Sequence, residues 1–213
     1  MFKLLIIDCD GTLVDTLPDI AYSLNESLRI LGLSEYELSE IRSYVGSGIT
    51  PLMEKRATGL ILEKLKKSFS ELYSGNICNR SSLYNGWDLV FNVTPKSTRV
   101  VLSNKPEFFL RPLIAGLNLG ENFEGFFGRE AFSERKPSPL PIIKIMEKYK
   151  VKSSETVIVG DMPDDIQSGK SAGITTIGAL YGYGTRESFN HYPPDFFVQS
   201  PSELLEIPGI RDK

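Results

Sequence analysis

The chain is poor in cysteine and histidine. Its 213 residues include two cysteines, Cys9 and Cys78, and one histidine, His191. Two cysteines build no disulfide framework, and their scarcity is typical of a reducing compartment, so we expect a cytoplasmic protein. His191 lies in a segment rich in tyrosine and proline, and we assign it no catalytic role.

The chain also lacks an excess of positive charge and any long hydrophobic run. Its 24 Lys and Arg against 27 Asp and Glu give a formal net charge of −3, which argues against nucleic acid and anionic membranes as partners. The N-terminal apolar run is far shorter than a signal sequence or a membrane span requires. What remains is an ordinary globular composition, 41% hydrophobic, with a length that suits one domain carrying a smaller insertion.

Short apolar runs predict the strands of a buried parallel sheet. They cover residues 3–8, 98–103, 125–128, 156–160 and 175–180. Helical patterns over 107–117, 139–150 and 164–173 lie between or beside them. This alternation predicts an α/β fold with a doubly wound, Rossmann-like and mostly parallel sheet. Residues 193–207 add a possible edge strand and a final helical turn.

Residues 16–82 contain no convincing strand, so they predict a helical insertion. Apolar residues at 17, 20, 24, 28 and 31 mark one face of a helix that Gly32 would stop. Ser34 is a candidate cap for a second helix that runs to the glycine break at 45–48, and a later helix covers 62–73. We therefore expect a core domain of residues 1–15 and 83–213 and a helical cap of residues 16–82.

Two aspartates stand at the end of the first predicted strand. In "LLIIDCDGTLVDT", residues 4–16, Asp8 ends the apolar run and Asp10 follows two positions later. Side chains at positions i and i+2 of an extended chain point to the same side, so both carboxylates can face one site, and Gly11 permits a turn. Because the two charges repel each other, they need a shared proton or a cation. Alone, the segment is also compatible with a solvated loop.

Matching polar residues follow the later strands or precede a helix. We expect them to converge with Asp8 and Asp10, because ligands of open α/β sheets bind at the carboxyl ends of the strands. The candidates are Ser103, Asn104, Lys136, Asp161 and Asp165. Four carboxylates in one cleft need a divalent cation, and an all-oxygen set suits Mg²⁺.

Four segments resemble the motifs of the haloacid dehalogenase superfamily of phosphatases. They are "DCDGTLVDT", "LSNK", "RKPSP" and "VGDMPDDIQSGKSAG", in the family's order. The helical block resembles the cap that this family inserts after its first motif, so the resemblance covers nearly the whole chain. Within the superfamily, "YVGSGITPLMEKRA" and "LYGYGTRESF" resemble the phosphoglycolate phosphatase-like branch. One departure is Met162, which stands where the family often has threonine or serine.

The resemblance implies a Mg²⁺-dependent phosphatase that hydrolyses a small phosphomonoester, such as phosphoglycolate, through an aspartyl-phosphate. Asp8 would be the nucleophile. Asp10 would protonate the leaving oxygen and then deprotonate the attacking water. We expect the partner to be this small molecule, and the protein to be a monomer or a homodimer.

The resemblance also implies how the phosphate and the metal are held. Gly11, Ser103 and the Asn104 N–H would bind phosphoryl oxygens, and Lys136 would offset the charge between nucleophile and phosphate. The metal ligands would be Asp8, the backbone carbonyl of Asp10, Asp161, and Asp165 directly or through water.

The helical insertion would select the leaving group. Gly46, Ser47 and Gly48 break a helix, and such a break can turn the backbone or a hydroxyl toward a substrate. Arg42 and Arg56 flank the break and would pair with a substrate carboxylate, unless both are solvated.

Several alternatives stay open at this stage. The substrate could be pyrophosphate, a sugar phosphate or a nucleotide, and a phosphoglucomutase-like phosphotransferase has a similar fold. A dehalogenase would lack Asp10, and a phosphonate hydrolase would need a reactive lysine in the helical block, where Lys55, Lys64, Lys66 and Lys67 are available. A non-catalytic binding module would be expected to have lost one of the motif residues.

Overall fold

The computed structural model describes residues 1–46, 48–94 and 97–211. Its strands are β1 Leu4–Ile7, β2 Val14–Asp15, β3 Ser82–Leu83, β4 Thr98–Leu102, β5 Gly125–Phe127, β6 Thr156–Gly160, β7 Thr175–Ala179 and β8 Phe196–Val198. Its helices are α1 Leu17–Ile30, α2 Leu38–Arg42, α3 Thr50–Glu54, α4 Gly59–Asn76, α5 Trp87–Val93, α6 Glu107–Gly116, α7 Leu140–Tyr149 and α8 Pro163–Ser171. Short 3-10 turns cover Gly120–Asn122, Ser153–Glu155, Arg186–Phe189 and Pro201–Glu206.

Six strands form one parallel sheet in the order β5-β4-β1-β6-β7-β8. The first strand lies at its centre, where Leu4 pairs with Thr98 on one side and with Thr156 on the other. Helices α6 and α7 pack on opposite faces of the sheet. The prediction of a doubly wound α/β fold is therefore confirmed, and residues 193–207 supply the edge strand and the final turn.

Both faces of β1 are buried. Leu4 and Ile6 pack in a cluster with α7, whereas Leu5 and Ile7 pack in a second cluster with α6. Successive side chains of a strand point to opposite faces, so a strand between two helical layers needs an apolar residue at each position. This explains the continuous apolar run, whose end brings Asp8 to the carboxyl edge of the sheet.

The helices α1 to α4, which we call the helical segment, lie between β2 and β3 in the chain. The first and last of them pack against each other. The predicted apolar face of α1 is buried at Leu17, Ile20, Leu24 and Leu28. Gly32 follows the helix with φ +69°, a left-handed conformation that glycine adopts without a steric cost, so the predicted helix stop is confirmed.

The helical segment departs from the sequence prediction in two places. Ser34 does not begin the second helix, because α2 begins only at Leu38, and the Glu37 backbone N–H donates to the Glu40 carboxylate at 3.1 Å. The expectation of no strand within 16–82 is wrong at its last residue, because Ser82 pairs with Asp15 in the antiparallel ribbon of β2 and β3. Two residues on each side are too few to produce a recognisable period in the sequence.

Candidate active site

Three buried aspartates meet at the carboxyl edge of the central strands. Asp8 directly follows β1, Asp161 directly follows β6, and Asp165 lies in the first turn of α8. One carboxylate oxygen from each lies within 4.8 Å of the others. The fold therefore assembles three of the predicted residues into one oxygen cluster that could bind a metal ion.

Lys136 joins two members of this cluster. Its Nζ donates to Asp8 Oδ1 and to Asp165 Oδ1, both at 2.6 Å, and to the Leu102 carbonyl at 2.8 Å. The side chain is only 3% exposed. Burial lowers the pKa of Lys136, but Asp165 and Asp8 outweigh it and the net direction is upward. A protonated ammonium is thus fixed between the candidate nucleophile and a candidate metal ligand.

The lysine does not neutralise the whole cluster. Burial raises the pKa of Asp8 well above its ordinary value, although Lys136 opposes the rise. Burial, followed by the nearby charge of Asp165, raises the pKa of Asp161 to about 7. Water is excluded and three carboxylates face one lysine, so the cluster has a strong preference for a proton or a cation. An all-oxygen set of this kind fits a hard divalent cation.

Asp10 lies beside this cluster with its carboxylate in a different environment. Its Oδ1 accepts a hydrogen bond from Thr16 Oγ1 at 2.6 Å and forms an ion pair with Lys105 Nζ at 2.9 Å. The Lys105 side chain is 4% exposed, and its Nζ also lies 4.7 Å from the centre of the Tyr73 ring of α4. Asp10 is therefore held by one residue of the core and one at the entrance to the helical segment.

Gly11 occupies a position that admits no side chain. Its φ is +86°, and a Cβ there would meet the Asp161 carboxylate and the Tyr183 ring. The turn also places Thr12, whose Oγ1 donates to Asp161 Oδ1 at 2.7 Å. The glycine thus allows the backbone after Asp10 to pass directly against the acidic cluster.

Ser103 and Asn104 lie at the end of β4, next to Lys136. Ser103 Oγ accepts the Lys105 backbone N–H at 3.1 Å, and Asn104 Nδ2 donates to the Lys136 carbonyl at 3.0 Å. Both residues are buried. The Asn104 amide therefore ties the loop that carries Lys136 to the end of the second core strand.

Tyr183 connects Asp161 to the start of the helical segment. Its backbone N–H donates to Asp161 Oδ2 at 2.8 Å. Its hydroxyl accepts the Thr16 and Leu17 N–H groups at 2.7 and 2.9 Å and donates to Asp15 Oδ1 at 2.9 Å. The Tyr183 side chain thus binds the start of the helical segment, while the Tyr183 backbone binds Asp161, a candidate metal ligand.

A cavity of about 260 Å³ separates the helical segment from the core. Asp10, Asn104 and Lys105 line its inner end, and Phe69 and Tyr73 of α4 line one wall. A group bound there would contact Asp10 and the helical segment at the same time.

Comparison with known proteins places the chain in a family. The family model described as "Haloacid dehalogenase-like hydrolase" matches residues 5–179. The chain belongs to this family. It is 31% identical to a phosphoglycolate phosphatase of Colwellia psychrerythraea over 215 residues, which cover 95% of each chain. It is also 31% identical to a phosphoglycolate phosphatase of Aquifex aeolicus over 211 residues, or 96% of each chain.

A solved structure agrees with these relatives. The crystal structure of a predicted phosphoglycolate phosphatase from Haemophilus somnus superposes with a TM-score of 0.90 at 27% identity, over 96% of this chain and 97% of that one. The predicted resemblance to the superfamily, and to its phosphoglycolate phosphatase-like branch, is confirmed. In the described parts of this haloacid dehalogenase-like hydrolase, we find no helix that is both long and apolar enough to cross a membrane.

Of the residues predicted to contact the substrate, some line the cavity and others have different neighbours. Gly46 and Gly48, with φ of +94° and +105°, line the cavity, and Ser47 lies outside the described residues. Arg42 instead donates to the Gly182 and Tyr183 carbonyls at 2.5 and 3.3 Å. Arg56 stacks over Tyr36, 4.2 Å from the ring centre. Within the described ranges, neither arginine lines this cavity of the hydrolase.

Sequence reasoning missed Lys105 and Tyr183. Lys105 stands inside the quoted motif "LSNK", but nothing local indicates that it reaches Asp10, 95 positions away. Tyr183 lies in "LYGYGTRESF", which served only to identify the branch. A lysine directly after a strand end was the one available signal, and it is weak without the fold.

Proposed function

We propose that the protein is a Mg²⁺-dependent phosphatase that hydrolyses a small phosphomonoester through an aspartyl-phosphate on Asp8. Family membership and the relatives support the broader class, and the protein is a phosphoric monoester hydrolase. The observation that carries the detailed proposal is the position of Asp8. It ends the central strand, is bound by the Lys136 ammonium at 2.6 Å, and belongs to the buried acidic cluster.

Asp8 would act as the nucleophile. A carboxylate oxygen attacks phosphorus, the bond between phosphorus and the ester oxygen breaks, and the phosphoryl group is held on Asp8. Water then attacks this acyl phosphate and releases inorganic phosphate and the free carboxylate. Lys136, fixed by the Leu102 carbonyl, lowers the repulsion between Asp8 and the anionic phosphate.

Asp10 would move the proton. Among the described residues, Thr16 and Lys105 both bind its Oδ1, so Oδ2 is the oxygen available to the leaving group. Asp10 gives a proton to the departing alkoxide and later takes one from the attacking water. Because Asp10 lines the cavity, a leaving group bound there would lie next to it.

The phosphoryl oxygens would be held by groups at the ends of β1 and β4. We assign this role to Ser103, to the Asn104 N–H and to the Gly11 segment, with Lys136 as the cation. Their burial makes each hydrogen bond to an anion stronger than it would be in water.

Asp8, Asp161, Asp165 and the Asp10 backbone carbonyl would hold the Mg²⁺. The three buried carboxylates fit it, because their oxygens are hard donors close enough to share one ion. When bound, the ion supplies charge neutralisation between the nucleophile and the phosphate. Thr12 and the Tyr183 N–H orient Asp161 for this role.

Residues 16–82 would form a cap over a core of residues 1–15 and 83–213. Two observations support this division: the chain leaves and re-enters the core through the β2–β3 ribbon, and the cavity lies between the two parts. Phosphoglycolate is the first substrate to test, since the named relatives are phosphoglycolate phosphatases. Pyrophosphate, sugar phosphates and nucleotides follow.

Substitution of the nucleophile tests the proposal. Purified wild-type protein with Mg²⁺ should release inorganic phosphate from at least one ester of such a panel. Asp8→Asn should lower kcat by at least about 10³-fold, because an amide oxygen cannot form the acyl phosphate. Release of phosphate and the circular dichroism spectrum are the two measurements.

The matched control is Asp88→Asn, which changes an exposed aspartate in the first turn of α5 and should keep wild-type activity. Near-wild-type turnover by Asp8→Asn would show that the nucleophile is another group. Wild-type protein that releases no phosphate from any ester would favour a binding module instead.

A further inference from the structure

The cavity beside Asp10 is larger than a two-carbon leaving group requires. Its volume is about 260 Å³, many times the roughly 10–15 Å³ of cavity that a single water molecule needs. Glycolate would fill only a part of it and would leave apolar walls in contact with water. A leaving group with a ring-sized body would fill the space.

The walls are suited to an apolar body. Phe69 and Tyr73 of α4 and Phe109 of α6 form an aromatic cluster, with ring centres 5.4 Å apart for the first pair and 4.8 Å apart for Tyr73 and Phe109. All three line the cavity, together with Ile20 and Met53. These side chains are at most 7% exposed, so the wall they form is apolar and favours a ligand with a ring or a branched carbon skeleton.

The cavity also has an excess of positive charge. Three cations line it, Lys66, Lys105 and Arg129, whereas Asp10 is its one carboxylate in the described part of the chain. Two of the cations have partners: Lys105 pairs with Asp10 at 2.9 Å, and Lys66 pairs with Glu63 at 3.0 Å. Arg129 is therefore the cation of the cavity that a bound anion could pair with.

Arg129 is held near the inner end of the cavity by its backbone. Its N–H donates to the Lys105 carbonyl at 2.9 Å, while its side chain is exposed. Among residues 1–46, 48–94 and 97–211, the Arg129 guanidinium has no ion-pair or hydrogen-bond partner. A planar guanidinium at the edge of a pocket matches a carboxylate in two-point geometry.

We propose that the leaving group is an alcohol with an apolar, ring-sized body and a carboxylate that Arg129 binds. The inference rests on the proposed function, because it requires Asp10 to protonate the leaving oxygen at the inner end of the cavity. The aromatic cluster binds the body, and Arg129 binds the anion from the solvent side. The structure thus gives the substrate-reading role to Arg129 rather than to Arg42 or Arg56.

Three phosphate esters separate these contributions. They are phosphoglycolate, benzyl phosphate and 4-carboxybenzyl phosphate, each assayed with Mg²⁺ for kcat/KM. We expect wild-type kcat/KM for 4-carboxybenzyl phosphate to exceed each of the other two by at least about tenfold. Arg129→Gln should lower the ratio of 4-carboxybenzyl to benzyl phosphate by about tenfold, because only the carboxylated ester uses the guanidinium.

The matched control is Arg111→Gln. Arg111 is an exposed arginine of α6 that pairs with Glu107 and does not line the cavity in the described residues, so the wild-type ratio should be kept. Product inhibition of the wild-type protein gives a second measurement that needs no variant. 4-(Hydroxymethyl)benzoate should inhibit at a concentration about tenfold lower than benzyl alcohol.

The possible failures are distinguishable. If phosphoglycolate is hydrolysed with the highest kcat/KM, the inference is overturned and the proposed function stands. If the ratio survives Arg129→Gln but is lost in Arg56→Gln, the role assigned to Arg129 is wrong. If the wild-type protein hydrolyses none of the three esters or the wider panel, the proposed function fails and the inference falls with it.

Discussion

At the scale of single residues, Lys105 has the clearest role that the sequence did not reveal. Burial lowers its pKa, but Asp10 and Tyr73 outweigh this, so the net direction is upward and the ammonium stays charged at neutral pH. The charge is bound to Asp10 Oδ1 in the core and lies against the Tyr73 ring of the helical segment. Lys105 therefore holds the Asp10 carboxylate in one orientation.

Lys105→Met tests this positioning role. We expect kcat to fall by about 10²-fold with a small change in KM, because Asp10 then turns away from the leaving oxygen while the phosphate contacts remain. Steady-state kinetics with an ester that the protein hydrolyses measures the changes in kcat and in KM separately.

Lys144→Met is the control for Lys105→Met, since Lys144 is an exposed lysine of α7 that pairs with Glu147 on the same helix. A purely structural role for Lys105 would lower the unfolding temperature and leave the kcat of the folded fraction unchanged, contrary to our expectation.

At the scale of elements, the apolar runs predict the core strands well because each strand is buried on both faces. The short ribbon and the start of α2 are not predicted, since two paired residues and the contact from the Glu37 N–H to the Glu40 carboxylate leave little pattern. The entrance to α1 shows the same limit. Its Thr16 and Leu17 N–H groups are satisfied by the Tyr183 hydroxyl, more than 160 positions away along the chain.

Tyr183→Phe removes this hydroxyl and keeps the ring. We expect the free energy of unfolding to fall by about 1–3 kcal/mol, because buried N–H groups at Thr16 and Leu17 lose their acceptor. For a protein of this size, the melting temperature should fall by about 2–12 °C. Thermal unfolding followed by circular dichroism measures the effect.

Tyr149→Phe is the matched comparison for Tyr183→Phe. The half-buried Tyr149 donates from its hydroxyl to the Glu124 carbonyl at 3.1 Å in an exposed hydrogen bond, so its loss should cost less than about 0.5 kcal/mol. Equal losses of stability in the two variants would contradict the role that we assign to Tyr183.

At the scale of the whole molecule, we expect the acidic cluster to make the stability depend on pH and on a bound metal ion. Asp161 has a pKa of about 7 in the folded chain against an ordinary value of 3.8. The folded state therefore retains a proton that the unfolded state has released. This contribution to stability is complete below about pH 4 and is lost as the pH rises to about 7.

Asp161→Asn should remove this dependence in the metal-free protein. In the presence of chelator, we compare the free energy of unfolding of the variant with that of the wild-type protein at each pH. The difference, variant minus wild type, should be about 1–3 kcal/mol larger at pH 8 than at pH 5, because an amide carries no charge to bury. Urea unfolding at the two pH values measures the difference. If the substitution changes the free energy of unfolding equally at pH 5 and pH 8, the prediction is contradicted.

Magnesium gives the complementary readout. Added Mg²⁺ should raise the melting temperature of the wild-type protein at pH 8, since a ligand that binds only the folded state stabilises it. Asp161→Asn should lose most of this increase, whereas Asp88→Asn should keep it.

The order of elements, the sheet and the principal site candidates follow from local features of the sequence. Apolar runs mark strands because each buried position demands an apolar residue, and polar residues directly after those runs must lie at one edge of a parallel sheet. This reasoning predicts Asp8 and Asp161, whereas Lys136 precedes a helix and Asp165 lies in the first turn of one.

The partners of these residues depend on the folded chain. The contacts from Lys105 to Asp10 and from Tyr183 to Asp15 join positions 95 and 168 apart, and no local pattern encodes such a distance. The same holds for the cavity, which Arg129 and the aromatic cluster both line while Arg42 and Arg56 have other neighbours. Which charged side chain reaches a substrate is set by how the helical segment packs on the core, because packing alone brings such distant side chains to one surface.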